Sequence, residues 1–145
     1  MKTRRFNLRG LALVGAMLVL SACVTPKMIQ STDLRAFTSD GCSHYPEGPR
    51  SKPKQWEACC VAHDRDYWAG GKAALRAASD AQLQQCVLQS GSSEFRSNIM
   101  WLGVRFAGGP WYPSPFRWGY GWPYYRGYKA ITPEEQVQIN LKEGQ

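Results

Sequence analysis

The chain has no apolar run long enough to cross a bilayer. Its longest, Leu11 to Leu20, is interrupted by Gly15 and falls short of the roughly 20 residues that a membrane-spanning helix needs. It also has little basic excess outside its first residues. The formal net charge is +7, but Lys2, Arg4, Arg5 and Arg9 lie in the first 23 residues, where there is no Asp or Glu. The remainder carries 14 basic against 11 acidic residues, a net of +3. That removes the charge density on which nucleic-acid binding rests and leaves a mild positive balance that favours anionic membrane surfaces. Cysteine is scarce as well, at five residues. No two stand at the spacing of structural zinc ligands, so Cys59, Cys60 and His63 do not read as a zinc site.

The N-terminus reads as a processing segment. A basic n-region precedes the apolar stretch, and small residues follow it, as in a secretory signal. Leu20-Ser21-Ala22-Cys23 resembles a bacterial lipobox. That implies a signal peptide over residues 1–22 and an acylated Cys23 as the lipid anchor of an exported lipoprotein, at the outer membrane facing the periplasm or the cell surface. Thr3-Arg4-Arg5-Phe6-Asn7-Leu8 resembles a twin-arginine signal too, though a generic basic n-region accounts for it. Residues 23–38 follow as a lipid-anchored tether, with Leu34 and Phe37 the first apolar residues expected to be buried. One small domain over residues 39–145 completes the chain.

With Cys23 assigned to lipid, Cys42, Cys59, Cys60 and Cys86 remain. An even number in an exported small domain reads as two disulfides. Adjacent cysteines on one helix point about 100° apart, which disfavours a Cys59–Cys60 bond. Two cross-pairings remain open, and both tie the segment around residue 60 to other elements.

A dense set of turn formers, Ser39-Asp40-Gly41-Cys42-Ser43-His44-Tyr45-Pro46-Glu47-Gly48-Pro49, predicts an irregular loop, with His44 an exposed member of it. Trp56, Cys59, Cys60, His63 and Tyr67 recur at helical spacing, which predicts a helix from about Gln55 to Ala69, ended by Gly70-Gly71. Residues Lys72 to Gln89 are rich in helix formers, with Asp80, Leu83, Cys86 and Val87 on one side. The tight connection turns this second helix back against the first. Ser92 is the expected N-cap of a third helix, whose apolar stripe is Phe95, Ile99, Leu102 and Phe106. Residues 111–128 hold nine aromatics among Gly, Pro and Arg without a helical period, which predicts loops or a short hairpin. Thr132-Pro133-Glu134-Glu135 has the form of a cap for a final short helix.

The segment Cys59-Cys60-Val61-Ala62-His63-Asp64-Arg65-Asp66-Tyr67 concentrates the chemistry. Residues three or four apart share a helix face, so one rod presents an imidazole, a carboxylate and a phenol in neighbouring directions. Asp80 on the inner face of an antiparallel partner can reach a nitrogen of His63 and fix its tautomer.

These residues resemble the secreted phospholipase A2 superfamily, in its bacterial and atypical branches. The segment matches every position of the signature Cys-Cys-x-x-His-Asp-x-x-Tyr. Asp80 and Cys86 keep the spacing of that family's second helix, and Gly41-Cys42-Ser43 takes the place of its calcium-loop cysteine. The match covers about residues 39–90. It departs from the family at Asp66 and Ser79, where a cysteine pair is often found, and at Ser43 and Tyr45, where Gly is usual.

The resemblance implies a mainly α fold: two antiparallel disulfide-linked helices, a calcium loop and an aromatic-rich irregular C-terminal segment. His63 would be the general base, Asp80 its orienting carboxylate and Tyr67 a hydrogen-bond partner of Asp80. Asp64 and the backbone carbonyls of Gly41, Ser43 and Tyr45 would bind Ca²⁺, a hard cation suited to oxygen ligands. Family pairing implies the disulfides Cys59–Cys86 and Cys42–Cys60. The implied activity is Ca²⁺-dependent hydrolysis of a phospholipid acyl ester at the cell envelope, with a phospholipid or membrane surface as partner and no nucleic acid. The rival expectation is a non-catalytic envelope lipoprotein that uses the fold as a binding scaffold. For residues 111–128, three roles stand open: packing over the helices, an interfacial surface at lipid headgroups, or a carbohydrate-binding face. Arg117 and Arg126 are candidates to pair with phosphate.

Overall fold

In the computed structural model, residues 34–143 are described. The expected signal peptide, Cys23 and the first part of the expected tether lie outside them. The described residues form four helices and no strand: α1 Glu57–Ala69, α2 Ala73–Gln89, α3 Glu94–Ala107 and α4 Pro133–Glu143. The chain is thus mainly α, and no described helix is long and apolar enough to cross a membrane.

α1 and α2 run antiparallel. Cys59 near the start of α1 is bonded to Cys86 near the end of α2, while Tyr67 near the end of α1 meets Arg76 near the start of α2. A second disulfide, Cys42–Cys60, ties the loop ahead of α1 to its first turn. α3 returns along α2, with Gln84 joined to Asn98 at one end and Asp80 to Arg105 at the other.

The apolar interior lies in two clusters, and α1 passes through both. Its first turn, with Trp56, Cys59 and Cys60, packs on Leu83, Val87 and Met100. Its last turn, with Tyr67 and Trp68, packs on Leu34, Trp118, Tyr120, Trp122 and Ile139. His63 and Asp64 fall between the two on the same helix.

The aromatic segment has a structural task at the end of α1. A helix leaves its last carbonyls without intrahelical partners, and here the segment supplies donors. Gly119 and Gly121 N–H donate to the carbonyls of Tyr67 and Trp68, and the indole N–H groups of Trp122 and Trp118 donate to those of Ala69 and Gly71. The approach is close: a Cβ on Gly70 would lie 2.7 Å from Gly119 Cα, and Gly70 has φ +72°. Of the three roles left open for residues 111–128, packing over the helices therefore holds for Trp118, Tyr120 and Trp122, which are buried, while Trp111, Tyr112, Tyr124 and Tyr125 are exposed. No hairpin forms among the described residues.

Residues 34–38 lie against this same core. Leu34 is buried, Arg35 N–H donates to Gly121, and the Arg35 carbonyl accepts from Trp68 Nε1. α4 begins with a reciprocal cap, since Glu135 N–H donates to Thr132 Oγ1 and Thr132 N–H donates to the Glu135 carboxylate.

Two sequence expectations are corrected on α3. The N-cap is Ser93, whose hydroxyl accepts from Arg96 N–H, not Ser92. The stripe Phe95, Ile99, Leu102 and Phe106 faces outward, at 76%, 40%, 40% and 81% exposure. The buried face is Ser97 and Met100, with Val104 packed beside it. Polar contacts decide the rotation: Arg105 reaching Asp80 and Asn98 meeting Gln84 turn the more apolar stripe away from α2.

Candidate functional site

Four buried side chains converge where α1, α2 and α3 meet. Asp80 is fully buried and uses both carboxylate oxygens. Oδ1 is 2.8 Å from His63 Nε2 and accepts from Tyr67 OH at 2.6 Å. Oδ2 accepts from Arg105 Nη1 at 2.5 Å, with Arg76 Nε a further 3.8 Å contact. Burial works against the anion, but hydrogen bonds from His63, Tyr67 and Arg105 outweigh it and hold this carboxyl below its usual range. An anionic Asp80 makes Nε2 the protonated nitrogen of a neutral His63, so that Nδ1 carries the lone pair.

Tyr67 is pinned on every side. Its hydroxyl donates to Asp80 and accepts from Arg76 Nε at 3.0 Å, and its ring meets Trp118 edge-on at 5.0 Å. Burial, then the Asp80 anion, pushes the phenol well above its ordinary range, so it stays a neutral donor. Arg76 also donates to the Val104 and Arg105 carbonyls at 2.7 Å each. These belong to the last turn of α3, where a cation is favourable against the helix dipole.

Asp64 lies one residue beyond His63 and is buried. Its Oδ2 accepts from Ser39 Oγ at 2.6 Å, and Ser39 Oγ accepts in turn from Gly41 N–H at 3.1 Å. Ser39 thereby couples the carboxylate to the loop that carries Gly41, Ser43 and Tyr45. Burial is the main reason that the Asp64 carboxyl is pushed up to about 6; Asp40 adds to it, while Ser39 and His63 oppose it. Among the described residues no Lys or Arg is within ion-pair distance of Asp64.

The loop turns tightly. Gly41 and Ser43 have φ +72° and +55°. Tyr45 N–H donates to the Cys42 carbonyl, and Ser43 Oγ donates to Asp40 Oδ1. Gly41, Ser43, Tyr45, His63, Asp64 and Tyr67 all line one cavity of about 780 Å³. Its apolar wall includes Leu83, Met100, Val104 and Phe116. Asp80 is not at the cavity surface and acts on it only through His63 and Tyr67. His44 is exposed and lines the same cavity.

The structure therefore brings together His63, Tyr67, Asp80, Asp64, Gly41, Ser43 and Tyr45, whereas Arg117 and Arg126 lie outside this neighbourhood. The sequence reading missed Ser39, Arg76 and Arg105. Arg76 carried a usable signal, being one helical turn before Asp80. Arg105 comes from another helix and carried none.

Comparison of the chain with protein-family models, curated proteins and solved structures finds no match.

Proposed function

We propose that this protein is a phospholipase A2-like, Ca²⁺-dependent hydrolase of phospholipid acyl esters, exported as a lipoprotein to the bacterial cell envelope. The observation that carries the reading is the shared Asp80 Oδ1, which takes both His63 Nε2 and Tyr67 OH beside a cavity that also holds Asp64.

In this reading His63 Nδ1 removes a proton from water as the water oxygen attacks the ester carbonyl. Asp80 stabilises the imidazolium that forms, and the proton then passes to the departing alkoxide. The Arg105 contact keeps the second carboxylate oxygen occupied, so that the imidazole is held in one orientation.

Asp64 fits a hard cation. It is a buried carboxylate with no Lys or Arg within ion-pair distance among the described residues, and burial raises its carboxyl. Asp64 and the carbonyl oxygens of Gly41, Ser43 and Tyr45 would hold Ca²⁺, consistent with all-oxygen ligation. Bound there, the ion supplies polarisation of the ester carbonyl and stabilisation of developing negative charge.

The apolar cavity wall suits an acyl chain. Ile99 and Tyr112 line the cavity while remaining exposed, and Phe106 and Trp111 are exposed nearby in the chain. Aromatic and aliphatic side chains of this kind favour a lipid interface, which supports a membrane surface as partner.

The test is fatty-acid release from phospholipid vesicles by the purified protein, with Ca²⁺ or chelator, beside His63→Gln. The expected result is Ca²⁺-dependent release that falls about a hundredfold or more in the variant. Equal release by both proteins would remove the catalytic reading and leave a binding scaffold.

A further inference from the structure

Arg117 and Arg126 both come from the aromatic segment, and the fold treats them differently. Arg126 is neutralised, its two Nη groups donating to the Glu135 carboxylate at 2.9 and 2.7 Å. Arg117 is only 4% exposed, yet among the described residues no carboxylate is within ion-pair distance of it. Its one hydrogen-bond acceptor there is the Trp122 carbonyl, 3.1 Å from Nη2. The guanidinium lies over the Tyr124 ring, 4.9 Å from its centroid, which leaves most of its N–H donors unused.

The nearest charge makes matters worse. Burial first, and then the like charge of Arg35, pushes the Arg117 guanidinium below its usual range. Arg35 is itself exposed and without an acidic partner among the described residues; its Nη2 donates to the Tyr120 carbonyl at 2.5 Å. Arg35, Arg117, Ser114 and Tyr124 line a cavity of about 500 Å³, separate from the one at His63 but sharing Pro113, Ser114 and Pro115 with it as a wall.

A buried cation is normally paired, because desolvation without a counter-charge is strongly unfavourable. Here two guanidiniums line an open cavity, and none of the described residues supplies the anion. We propose that the cavity between Arg35 and Arg117 is an anion site that binds a phosphate group. Two forked guanidiniums on different segments suit a tetrahedral oxyanion with several acceptor oxygens. A single carboxylate presents two coplanar oxygens and satisfies one fork. The phosphate can belong to a lipid headgroup beside the apolar cavity or to a soluble phosphate, and the chemistry of recognition is the same.

The test uses the purified protein, with thermal unfolding followed while inorganic phosphate replaces chloride at constant ionic strength. A saturable rise in Tm is expected, since a ligand bound to the folded state stabilises it. Arg35→Gln, at an exposed side chain, should weaken the apparent affinity about tenfold, the loss of a charge-assisted contact. Arg117→Lys keeps the charge without the fork and should weaken it too. In parallel, binding is measured to phosphatidylcholine vesicles with and without phosphatidic acid. Protection by inorganic phosphate that Arg35→Gln reduces assigns a soluble phosphate. Arg35-dependent binding confined to vesicles carrying phosphatidic acid assigns a headgroup. If Arg35→Gln and wild type respond alike in both measurements, the site is overturned. None of these readouts depends on His63, so the outcome is separate from that of the hydrolase test.

Discussion

Arg105 Nη1 sits 2.5 Å from Asp80 Oδ2, so the carboxylate that holds His63 on its other oxygen is itself gripped from α3. Replacing Arg105 with Gln leaves Oδ2 with only the longer Arg76 contact. The expected loss of stability is about 1.5–3 kcal/mol, the range for a hydrogen bond to a charged group, read as a lower urea midpoint at unchanged slope. Arg105→Lys should recover part of it. No change in midpoint would show that the contact contributes nothing to the fold.

Asp64 sets a pH dependence of unusual sign. Its carboxyl is pushed up to about 6 from the ordinary 3.8, so between those values the folded state binds more protons than the unfolded one. Stability in the absence of divalent cation should then fall as pH rises through that window. The penalty is fully present above pH 6, on the order of 2–3 kcal/mol. Asp64→Asn should abolish this slope and be the more stable protein at pH 7 under chelator. Urea unfolding at several pH values between 4 and 7 measures it. Asp80, whose carboxyl is held low, contributes in the opposite direction and only on acidification below about pH 4.

The two disulfides should fail differently. They close separations of 27 residues for Cys59–Cys86 and 18 for Cys42–Cys60, each worth about 3–4 kcal/mol by chain entropy. Loss of Cys59–Cys86 by paired Ala substitution loosens α1 from α2 and should lower the melting temperature and release activity together. Loss of Cys42–Cys60 frees the loop of Gly41, Ser43 and Tyr45, so helical circular dichroism should persist below the new transition while Ca²⁺ affinity drops. Calorimetry with added Ca²⁺ distinguishes the two.

Gly108 lines the cavity, and a Cβ there would lie 2.6 Å from Tyr67 Oη and from the Val104 carbonyl. Gly108→Ala should displace the phenol from Asp80, with about 1–3 kcal/mol of lost stability from overpacking and a reduced turnover. A crystal structure of the variant with Tyr67 undisturbed would contradict this.

Helical periodicity made α1 and α2 legible from the sequence to within two residues of their ends, and the Thr132–Glu135 cap of α4 was equally legible. These are local signals, set by side-chain spacing and by hydrogen bonds within one turn. The third helix was placed but turned the wrong way, because Phe95, Ile99, Leu102 and Phe106 make the more conspicuous stripe. Which face of an amphipathic helix is buried depends on what its neighbour offers, and α2 offers Asp80 and Gln84.

The same division runs through the site. His63, Asp64 and Tyr67 are neighbours by helical geometry alone, so the sequence by itself determined that an imidazole, a carboxylate and a phenol would share one stretch of α1. Only the tertiary structure decided which partners complete them. Ser39 reaches Asp64 across 25 residues, Arg105 reaches Asp80 across 25, and Arg117 is left beside Arg35 without an acid among the described residues while Arg126 has Glu135. No periodicity encodes those pairings: each follows from how separate segments are folded against one another, and a side chain's charge partner is a property of that packing.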